Sequence, residues 1–313
     1  MTHQQRDHGG GVDAAIARYG GLRSHWIDLS TGIAPFSYPL PILTAADWSQ
    51  LPDRNAHQAL VSAARIFWNV PKEAAILPAP GASSLIANIP RLTKPGQIKI
   101  PEPTYNEHKA AFDAAGWNVR TEGAADARVL VQPNNPDGKI WDQSDLTDKL
   151  SLIDESFADA MPDVSLMEHT RKPGVLILKS FGKFWALAGL RLGFLIGDAE
   201  LIKKVEPMLG PWPVSGPALK IGTEALRNPA WADHQRQRLR RGAKRLDDLL
   251  TSRGAKLVGG TPLFRLYDVK AGAEWQDRLA QSHIWSRVFP YNPHWLRLGL
   301  PADNGWERLE AGL

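Results

Sequence analysis

The chain has 313 residues, enough for one substantial core and a smaller lobe, which excludes a small single-module protein. Hydrophobic residues make up 43% of the chain and charged residues 22%, and no apolar run approaches the ~20 residues that span a bilayer. The absence of cysteine excludes disulfides, thiolate catalysis and cysteine-ligated metals, and we predict no metal site. The formal charge of +4 favours an anionic small molecule over nucleic acid.

The first residues of the chain contain no apolar core from Met1 to His8, so we expect no secretory signal and a cytoplasmic location. Residues 1–40 are rich in glycine and proline. They predict an arm that packs across a functional site or a partner subunit.

Short apolar runs recur between helical stretches in the middle of the chain and predict strands. These runs are residues 98–100, 129–132, 152–154, 175–178 and 194–196. Strands that alternate with helices indicate an α/β fold, in which a mainly parallel sheet is wrapped by helices. Ligands of such folds bind at the carboxyl ends of the strands.

The last third of the chain predicts a smaller α+β domain. A helical stretch at 199–208 precedes residues 210–217, whose glycines and prolines exclude regular helix and predict an interdomain connection. Further on, arginines and lysines between 236 and 245 alternate with leucines, which predicts an amphipathic helix with a solvated face. Strand-like runs follow at 256–258, 263–267, 288–289 and 295–298. The predicted division is therefore an arm at 1–40, a large domain at 41–215 and a small domain at 216–313.

Lys183 follows the predicted strand 175–178, in the segment Ser-Phe-Gly-Lys-Phe-Trp-Ala-Leu-Ala-Gly-Leu-Arg-Leu-Gly. A lysine amine becomes nucleophilic when burial or a nearby cation disfavours its charged form, and Arg191 is the candidate cation. Such a lysine suits a Schiff base formed beside a phosphate-binding arginine. The alternative is a solvated lysine at the end of a strand.

Two more polar residues follow predicted strands. Asp154 closes the strand 152–154, where a carboxylate strongly favours a protonated partner nitrogen. Asn135 lies in a Pro-Asn-Asn-Pro-Asp-Gly turn after the strand 129–132. A capping aspartate and a turn-forming asparagine are the alternatives.

A short glycine-containing segment predicts a phosphate site. Gly81, Ala82 and Ser83 precede a helical stretch that begins near Leu85, so their backbone amides and hydroxyls suit a phosphate at a helix amino end. By itself the segment is weak evidence for a phosphate site, and it becomes informative only in combination with Lys183 and Arg191.

The segment around Lys183 resembles the pyridoxal-phosphate (PLP) lysine segment of fold-type I aminotransferases and their relatives. The resemblance implies a fold-type I PLP-dependent transferase that forms its sites across a homodimer. It also implies that Lys183 binds the cofactor aldehyde, Asp154 contacts the pyridine nitrogen, Asn135 donates to the ring hydroxyl and Tyr105 stacks on the ring. The implied phosphate ligands are Gly81, Ala82, Ser83, Ser180 and Arg191.

Other segments resemble one branch of these enzymes, the threonine-phosphate decarboxylases of cobalamin biosynthesis. They are Asp7-His8-Gly9-Gly10, Asp28 to Ile33, residues 210–217, and Phe157, where transaminases usually have tyrosine. The resemblance implies conversion of L-threonine O-3-phosphate to (R)-1-amino-2-propanol O-2-phosphate and carbon dioxide. Near the carboxyl end, Trp-Leu-Arg-Leu-Gly resembles the segment whose arginine, here Arg297, binds the substrate carboxylate in a two-pronged contact.

The same resemblance implies a substrate site that includes His8, Gly32, Ile33, Asn135 and Arg297. His8 and Arg297 are the candidates for the substrate phosphate. Three departures from the family bear on the substrate. Ala34 stands where relatives often have asparagine, His57 stands where a partner-subunit tyrosine often reaches the cofactor phosphate, and only 19 positions separate Asn135 from Asp154.

Two other functions stay open at this point. The first is a PLP-dependent aminotransferase acting on a phosphorylated substrate, similar to histidinol-phosphate aminotransferase; Phe157 and the His8-Gly9-Gly10 start speak against it. The second is a non-catalytic subunit that assists cobinamide synthesis. A scaffold has no need for Lys183 together with Asp154, which speaks against the second function.

Overall fold

A computed structural model describes residues 8–147 and 149–313 of the chain. The described chain divides into two compact units. Unit 1 contains the described residues up to Phe36, together with Pro136–Gly138 and Gln235–Leu313. Unit 2 contains Ser37–Asn135 and Lys139–His234.

The α-helices of the described residues are, in chain order, α1 (Val12–Tyr19), α2 (Ala45–Ser49), α3 (Arg54–Phe67), α4 (Ala82–Asn88), α5 (Asn106–Ala114), α6 (Ala199–Leu209), α7 (Gly216–Leu226), α8 (Pro229–Ser252), α9 (Gly272–Gln281) and α10 (Trp306–Gly312). The strands are β1 (Ile27–Asp28), β2 (Ala75–Ala79), β3 (Gln97–Lys99), β4 (Asn118–Arg120), β5 (Ala127–Val131), β6 (Leu150–Asp154), β7 (Val175–Ser180), β8 (Gly193–Gly197), β9 (Lys256–Thr261), β10 (Phe264–Asp268), β11 (Ile284–Trp285), β12 (Arg287–Phe289) and β13 (Asn292–Gly299).

The described part of unit 2 is built around a seven-stranded sheet in the order β2-β8-β7-β6-β5-β3-β4. Neighbouring strands from β4 to β7 are parallel, whereas β8 is antiparallel to both β7 and β2. Strands β6 and β8 are buried along their whole length. Burial on both faces explains why these strands read as continuous apolar runs and not as alternating ones.

The core on one face of this sheet joins strands and helices. Leu152 and Leu176 belong to a buried cluster with Leu85 of α4 and Phe112 of α5. Since successive side chains of a strand point to opposite faces, the neighbouring residues of β6 and β7 point to the other face. Helices α4 and α5 therefore pack against apolar side chains of the strands.

The parallel pairing aligns the ends of three strands. Val131 of β5 is paired with Asp154 of β6, and Asp154 is paired in turn with Leu178 of β7. The residues that follow these positions leave the sheet at one edge. The loops after β5, β6 and β7 therefore begin side by side.

Unit 1 contains a four-stranded antiparallel sheet in the order β12-β13-β10-β9 among its described residues. A separate short pair joins β1 to β11 in parallel. Helix α8 begins in unit 2 and continues into unit 1. It buries Leu239, Leu246 and Leu250 and exposes Arg240 and Arg241, so the predicted amphipathic helix is confirmed.

The structure confirms a strand at each predicted run of the middle segment, and it extends β6 and β7 by two residues each relative to the prediction. The predicted domain boundaries at residues 40 and 215 stay predictions about domain organisation. The compact units are divided after Phe36 and after His234, and residues 210–217 lie within unit 2. None of the helices in the described ranges is long and apolar enough to cross a membrane.

One glycine of unit 1 allows a close backbone approach. Gly138 has a φ of +74°, and a Cβ atom at this position would overlap the carbonyl oxygen of Gly260. Both the backbone conformation and the missing side chain are therefore required here.

Replacement of Gly138 by alanine is expected to destabilise the protein in two ways. A left-handed conformation at a non-glycine residue costs about 1 kcal/mol or more, and the overlap with Gly260 adds roughly 1–3 kcal/mol. Gly254 is the matched control, because its φ is +87° and no atom lies within 4 Å of the point that a Cβ atom would occupy. Urea unfolding should show a larger loss for Gly138→Ala than for Gly254→Ala; equal losses would contradict the close approach.

Candidate functional site

Lys183 lies in the loop that joins β7 to β8 in unit 2. Its Nζ atom is 5.5 Å from the centre of the Phe157 ring. The loop begins with a tight turn, in which the backbone N–H of Gly182 donates to Oγ of Ser180 at 3.2 Å. The amine is thus placed beside an apolar ring at the edge where β5, β6 and β7 end.

The guanidinium of Arg191 lies against the backbone of Gly81. A Cβ atom at Gly81, whose φ is +82°, would be 2.5 Å from Nη2 of Arg191. A second close approach occurs nearby, where a Cβ atom at Gly193 would be 2.5 Å from the backbone nitrogen of Ala82. Only glycine fits at these two positions. The guanidinium of Arg191 is thereby placed at Gly81, the residue that precedes α4.

Asp154 is 3% exposed and takes part in three hydrogen bonds. Its Oδ1 atom accepts from the backbone N–H of Ser156 at 3.0 Å and from the Ser156 hydroxyl at 2.5 Å. Its Oδ2 atom is 2.8 Å from Nε2 of His108. Burial raises the pKa of Asp154, but the hydrogen bonds and charge of His108, with those of Ser156, outweigh it and lower the pKa below its ordinary value.

His108 is a candidate site residue that the sequence analysis missed. It is buried on α5, and its Nδ1 atom has no hydrogen-bond partner among the described residues. Because an ionised Asp154 needs a donor, Nε2 of His108 is the ring nitrogen that carries a proton toward it. The ring centroid of Tyr105 is 5.9 Å away at an angle of 82°. The only sequence signal was a histidine three residues after Tyr105.

The turn that carries Asn135 is held by its neighbour Asn134. The Asn134 Oδ1 atom accepts from the Thr104 hydroxyl at 2.6 Å, and its Nδ2 atom donates to the Pro103 carbonyl at 3.0 Å. These bonds fix the turn to the segment that leads to Tyr105. The predicted residues Asn135 and Tyr105 are therefore held on connected segments of unit 2.

In unit 1, Arg297 of β13 is 4% exposed and donates from Nη2 to the carbonyl of Ser30. Burial, followed by the charge of Arg287, lowers the pKa of Arg297 to about 10. The guanidinium therefore stays charged at neutral pH. A buried cation of this kind suits a carboxylate or a phosphate.

Arg287 is a second residue that sequence analysis missed. It lies on β12 directly opposite Arg297 in the antiparallel pairing. Its Nη1 atom donates to the carbonyl of His8 at 2.6 Å. Two arginines on paired strands make a concentrated positive site, which suits an anion with more than one charge. Without the pairing register, nothing in the sequence linked Arg287 to Arg297.

The predicted amino-terminal substrate residues lie near this arginine pair. A Cβ atom at Gly9 would overlap the carbonyl oxygen of Ser30, and the N–H of Gly10 donates to the Ser30 hydroxyl at 2.7 Å. Gly32 has a φ of +64°, and its Cα atom would be 3.7 Å from a Cβ atom at Gly299. Ile33 follows it and is partly buried. Asp7 lies outside the described residues.

The residues present in unit 2 fit pyridoxal 5'-phosphate. An amine for its aldehyde (Lys183), a buried carboxylate for its ring nitrogen (Asp154) and a cradle for its phosphate are all present. The cradle is the strongest part of the fit, because the missing side chain of Gly81 lets the Arg191 guanidinium lie against the residue before α4. The described residues contain no group of three or more histidine or acidic side chains arranged to hold a metal.

Comparison with known proteins gives a consistent result. The family model for aminotransferase class I and II matches residues 25–126 and 121–310. A threonine-phosphate decarboxylase from Pseudomonas aeruginosa is 37% identical over 98% of this chain and 97% of its own length. A threonine-phosphate decarboxylase from Sinorhizobium sp. is 38% identical over 96% of this chain and 95% of its own length.

Solved structures agree on the fold. A histidinol-phosphate aminotransferase from Sinorhizobium meliloti, in complex with pyridoxal 5'-phosphate, has a TM-score of 0.80 at 18% identity. The match covers 99% of this chain and 95% of the solved one. With a matching family model, two near-full-length relatives and a shared fold, the chain belongs to the aminotransferase class I and II family, in its threonine-phosphate decarboxylase branch.

Proposed function

We propose that this protein is a PLP-dependent decarboxylase that converts L-threonine O-3-phosphate to (R)-1-amino-2-propanol O-2-phosphate and carbon dioxide, a step of cobalamin biosynthesis. The observation that carries the proposal is the similarity along nearly the whole chain to two relatives that are both named for this activity. The arrangement of Lys183, Asp154 and Arg191 in unit 2 supports it.

The cofactor supplies the electron sink for the bond that breaks at the substrate's α-carbon. Lys183 would hold the cofactor aldehyde. When its amine is released and carries the proton given up by the substrate ammonium, it would be placed to deliver that proton to the α-carbon. The ring of Phe157 lies 5.5 Å from Nζ and provides a wall beside the amine. Tyr105 would stack on the cofactor ring, and Asn135 would donate to the ring hydroxyl.

Asp154 would keep the ring nitrogen of the cofactor protonated, for which its carboxylate must be ionised. The donors His108 and Ser156 favour that state and fix its orientation. Arg191 and the backbone of Gly81 to Ser83 would hold the cofactor phosphate, with the Ser180 hydroxyl as a further ligand. Each of these roles uses a side chain or amide whose position is fixed by its own local contacts.

The two arginines of unit 1 divide the anionic groups of the substrate between them. Arg297 is the more deeply buried and binds the α-carboxylate in a two-pronged contact. Arg287 is partly exposed and binds the phosphate, beside the backbone of His8. Gly32 and Ile33 line the same substrate region. An enzyme selective for a phosphorylated amino acid needs both cations, which is the reason for the pair.

The working enzyme in this proposal is a homodimer. Ile42, Trp48 and Ile66 are 89%, 70% and 81% exposed on or near α2 and α3 of unit 2. Large apolar side chains at such exposure are typical of a surface that a partner covers.

We place the enzyme in the cytoplasm, where phosphorylated metabolites are retained by their charge.

The first experiment is to incubate PLP-loaded protein with L-threonine O-3-phosphate, without a keto acid, and to measure carbon dioxide. Lys183→Ala should slow release by about 10²–10⁴-fold, because the proton-transferring amine is gone. Lys109→Ala, at an exposed position on α5, is the control and should retain the wild-type rate. Amino transfer to 2-oxoglutarate in place of carbon dioxide release would show an aminotransferase.

Arg287→Gln should weaken the binding of the substrate phosphate and leave binding of the substrate carboxylate unchanged. Loss of a charge-assisted hydrogen bond of ~1.5–3 kcal/mol raises KM for L-threonine O-3-phosphate by roughly 10- to 100-fold. Inhibition by L-threonine, which lacks the phosphate, should be unchanged in Arg287→Gln and weakened in Arg297→Gln. If Arg287→Gln weakened both molecules equally, Arg287 would not be the phosphate ligand.

The ionisation of Asp154 predicts a pH dependence of stability in the protein without cofactor. Because its folded pKa is lowered, its carboxylate stabilises the fold above the unfolded value of about 3.9, and this contribution is lost as the pH falls through the folded pKa. The difference in free energy of unfolding between wild type and Asp154→Asn should therefore be constant from about pH 5 to 7 and shrink below about pH 4. Urea unfolding measures it, with Asp113→Asn as the control for removal of one carboxylate. A difference that grows at low pH would contradict the assignment.

A further inference from the structure

A buried cluster of three charged side chains adjoins the proposed cofactor residues in unit 2. Lys179, Glu155 and Asp159 are 2%, 1% and 4% exposed. Lys179 directly precedes Ser180, and Glu155 directly follows Asp154. The proposed function gives none of the three a role.

The cluster is closed by short contacts. The Lys179 ammonium is 2.7 Å from Oε2 of Glu155 and 3.2 Å from Oδ1 of Asp159. Glu155 also accepts from the backbone N–H of Leu166 at 2.6 Å and from the Ser165 hydroxyl at 2.7 Å. Burial lowers the pKa of Lys179, but Glu155 and Asp159 outweigh it, so the ammonium stays charged.

Asp159 extends this cluster to two tryptophans. Its Oδ1 atom accepts from the indole N–H of Trp68 at 2.9 Å, and its Oδ2 atom accepts from that of Trp185 at 2.9 Å. Trp68 follows the end of α3, whereas Trp185 lies two residues after Lys183 in the loop between β7 and β8. The Asp159 carboxylate is therefore hydrogen-bonded both to Trp68 at the end of α3 and to the loop that carries the proposed catalytic amine.

The hydrogen bond from Trp185 gives a tightly packed ring one defined direction. The Trp185 ring is fully buried, lies nearly parallel to Phe181 and Trp231 at interplanar angles of 12° each, and meets Phe184 at 86°. Apolar contacts hold the ring in place, but they are not directional in the way that a hydrogen bond is. The indole has a single donor, so its bond to Asp159 sets which edge of the ring faces the buried cluster.

The orientation of Trp185 is passed on to Lys183 through a short turn. The N–H of Ala186 donates to the carbonyl of Lys183 at 3.2 Å, and Ala186 has a φ of +53°. A turn closed in this way leaves Lys183 and Trp185 little independent backbone freedom. A change in the angle of the indole therefore moves the backbone from which the lysine side chain starts.

The presence of three buried charged side chains indicates that the cluster positions other residues. Desolvating an ammonium and two carboxylates is costly, and apolar residues of similar size often fill such a site with equal or greater stability. What charged, hydrogen-bonded residues add is one defined arrangement. We propose that Asp159, anchored by Lys179, is a positioning residue that sets the direction of the Lys183 amine through the Trp185 indole. This inference rests on the proposed role of Lys183.

The test compares two variants that remove one indole N–H each from the same carboxylate. Trp185→Phe removes the bond to Oδ2 and keeps an aromatic ring in the stack, and Trp68→Phe removes the bond to Oδ1 outside the Lys183 loop. Both should lower the melting temperature of the protein. Only Trp185→Phe should shift the pH midpoint of the bound cofactor's absorbance, by about 0.5 pH unit or more, and lower kcat about tenfold with KM little changed.

A measurement without cofactor separates this inference from the proposed function. In the cofactor-free protein, reductive methylation followed by peptide mass spectrometry gives the labelling rate of Lys183. Trp185→Phe should change this rate at least about twofold, and Trp68→Phe should leave it unchanged, relative to labelling of Lys109 as the internal reference. Equal Lys183 rates in both variants would overturn the inference even if the wild type decarboxylates its substrate. A wild type that fails to bind PLP would overturn the proposed function and leave the labelling result to decide the inference.

A further variant covers the case in which Trp185→Phe does not fold. Asp159→Asn keeps both tryptophan rings but offers one acceptor oxygen in place of two. The donors Trp185, Trp68 and Lys179 must then share that one oxygen. It should change Lys183 labelling in the same direction as Trp185→Phe. An unchanged Lys183 rate in a folded Asp159→Asn protein would overturn the inference.

Discussion

The parallel pairing of β5, β6 and β7 is the constraint on which the rest of unit 2 depends. Their register places Val131, Asp154 and Leu178 in one row, so that the loops after these positions leave the sheet together. A slip of one residue in β6 would turn Asp154 to the other face of the sheet. Every residue of β6 is buried, which makes this register costly to change.

Two carboxylates buried at this edge receive several hydrogen bonds each. Asp154 receives three hydrogen bonds from two residues, and Asp159 receives bonds from two indoles and a lysine. In a medium of low polarity, a buried carboxylate without such donors is costly. The donors hold both carboxylates in one orientation. The same interactions that make burial tolerable therefore also make the geometry rigid.

Much of unit 2 could be predicted from the sequence, because its strands are buried on both faces and give long apolar runs. Asp154, Asn135 and Lys183 were singled out since each lies at the end of such a run or within a few residues after it. His108 was missed because its contact with Asp154 spans 46 positions and depends on how α5 packs on the sheet. Arg287 was missed because only the antiparallel register of β12 and β13 pairs it with Arg297.

The buried cluster shows another limit of sequence patterns. Lys179 interrupts the apolar run of β7, a signal that a polar partner must be buried beside it. The sequence did not identify that partner, since Glu155 and Asp159 belong to a different strand exit and a short 3₁₀ helix, Ala158–Ala160. Local patterns report which residues are unusual, whereas long-range packing decides what they contact.

The proposed cofactor ligands are drawn from unit 2, and the arginine pair is drawn from unit 1. Amino acid changes that alter the anions recognised by β12 and β13 therefore need not touch the residues that hold the cofactor. Such a division lets a gene family acquire new substrates over evolutionary time while one set of cofactor contacts is inherited unchanged. Family members with different substrates would then differ mainly in the sequence of the strands around Arg287 and Arg297. They would share mainly the sequence of the loop around Lys183.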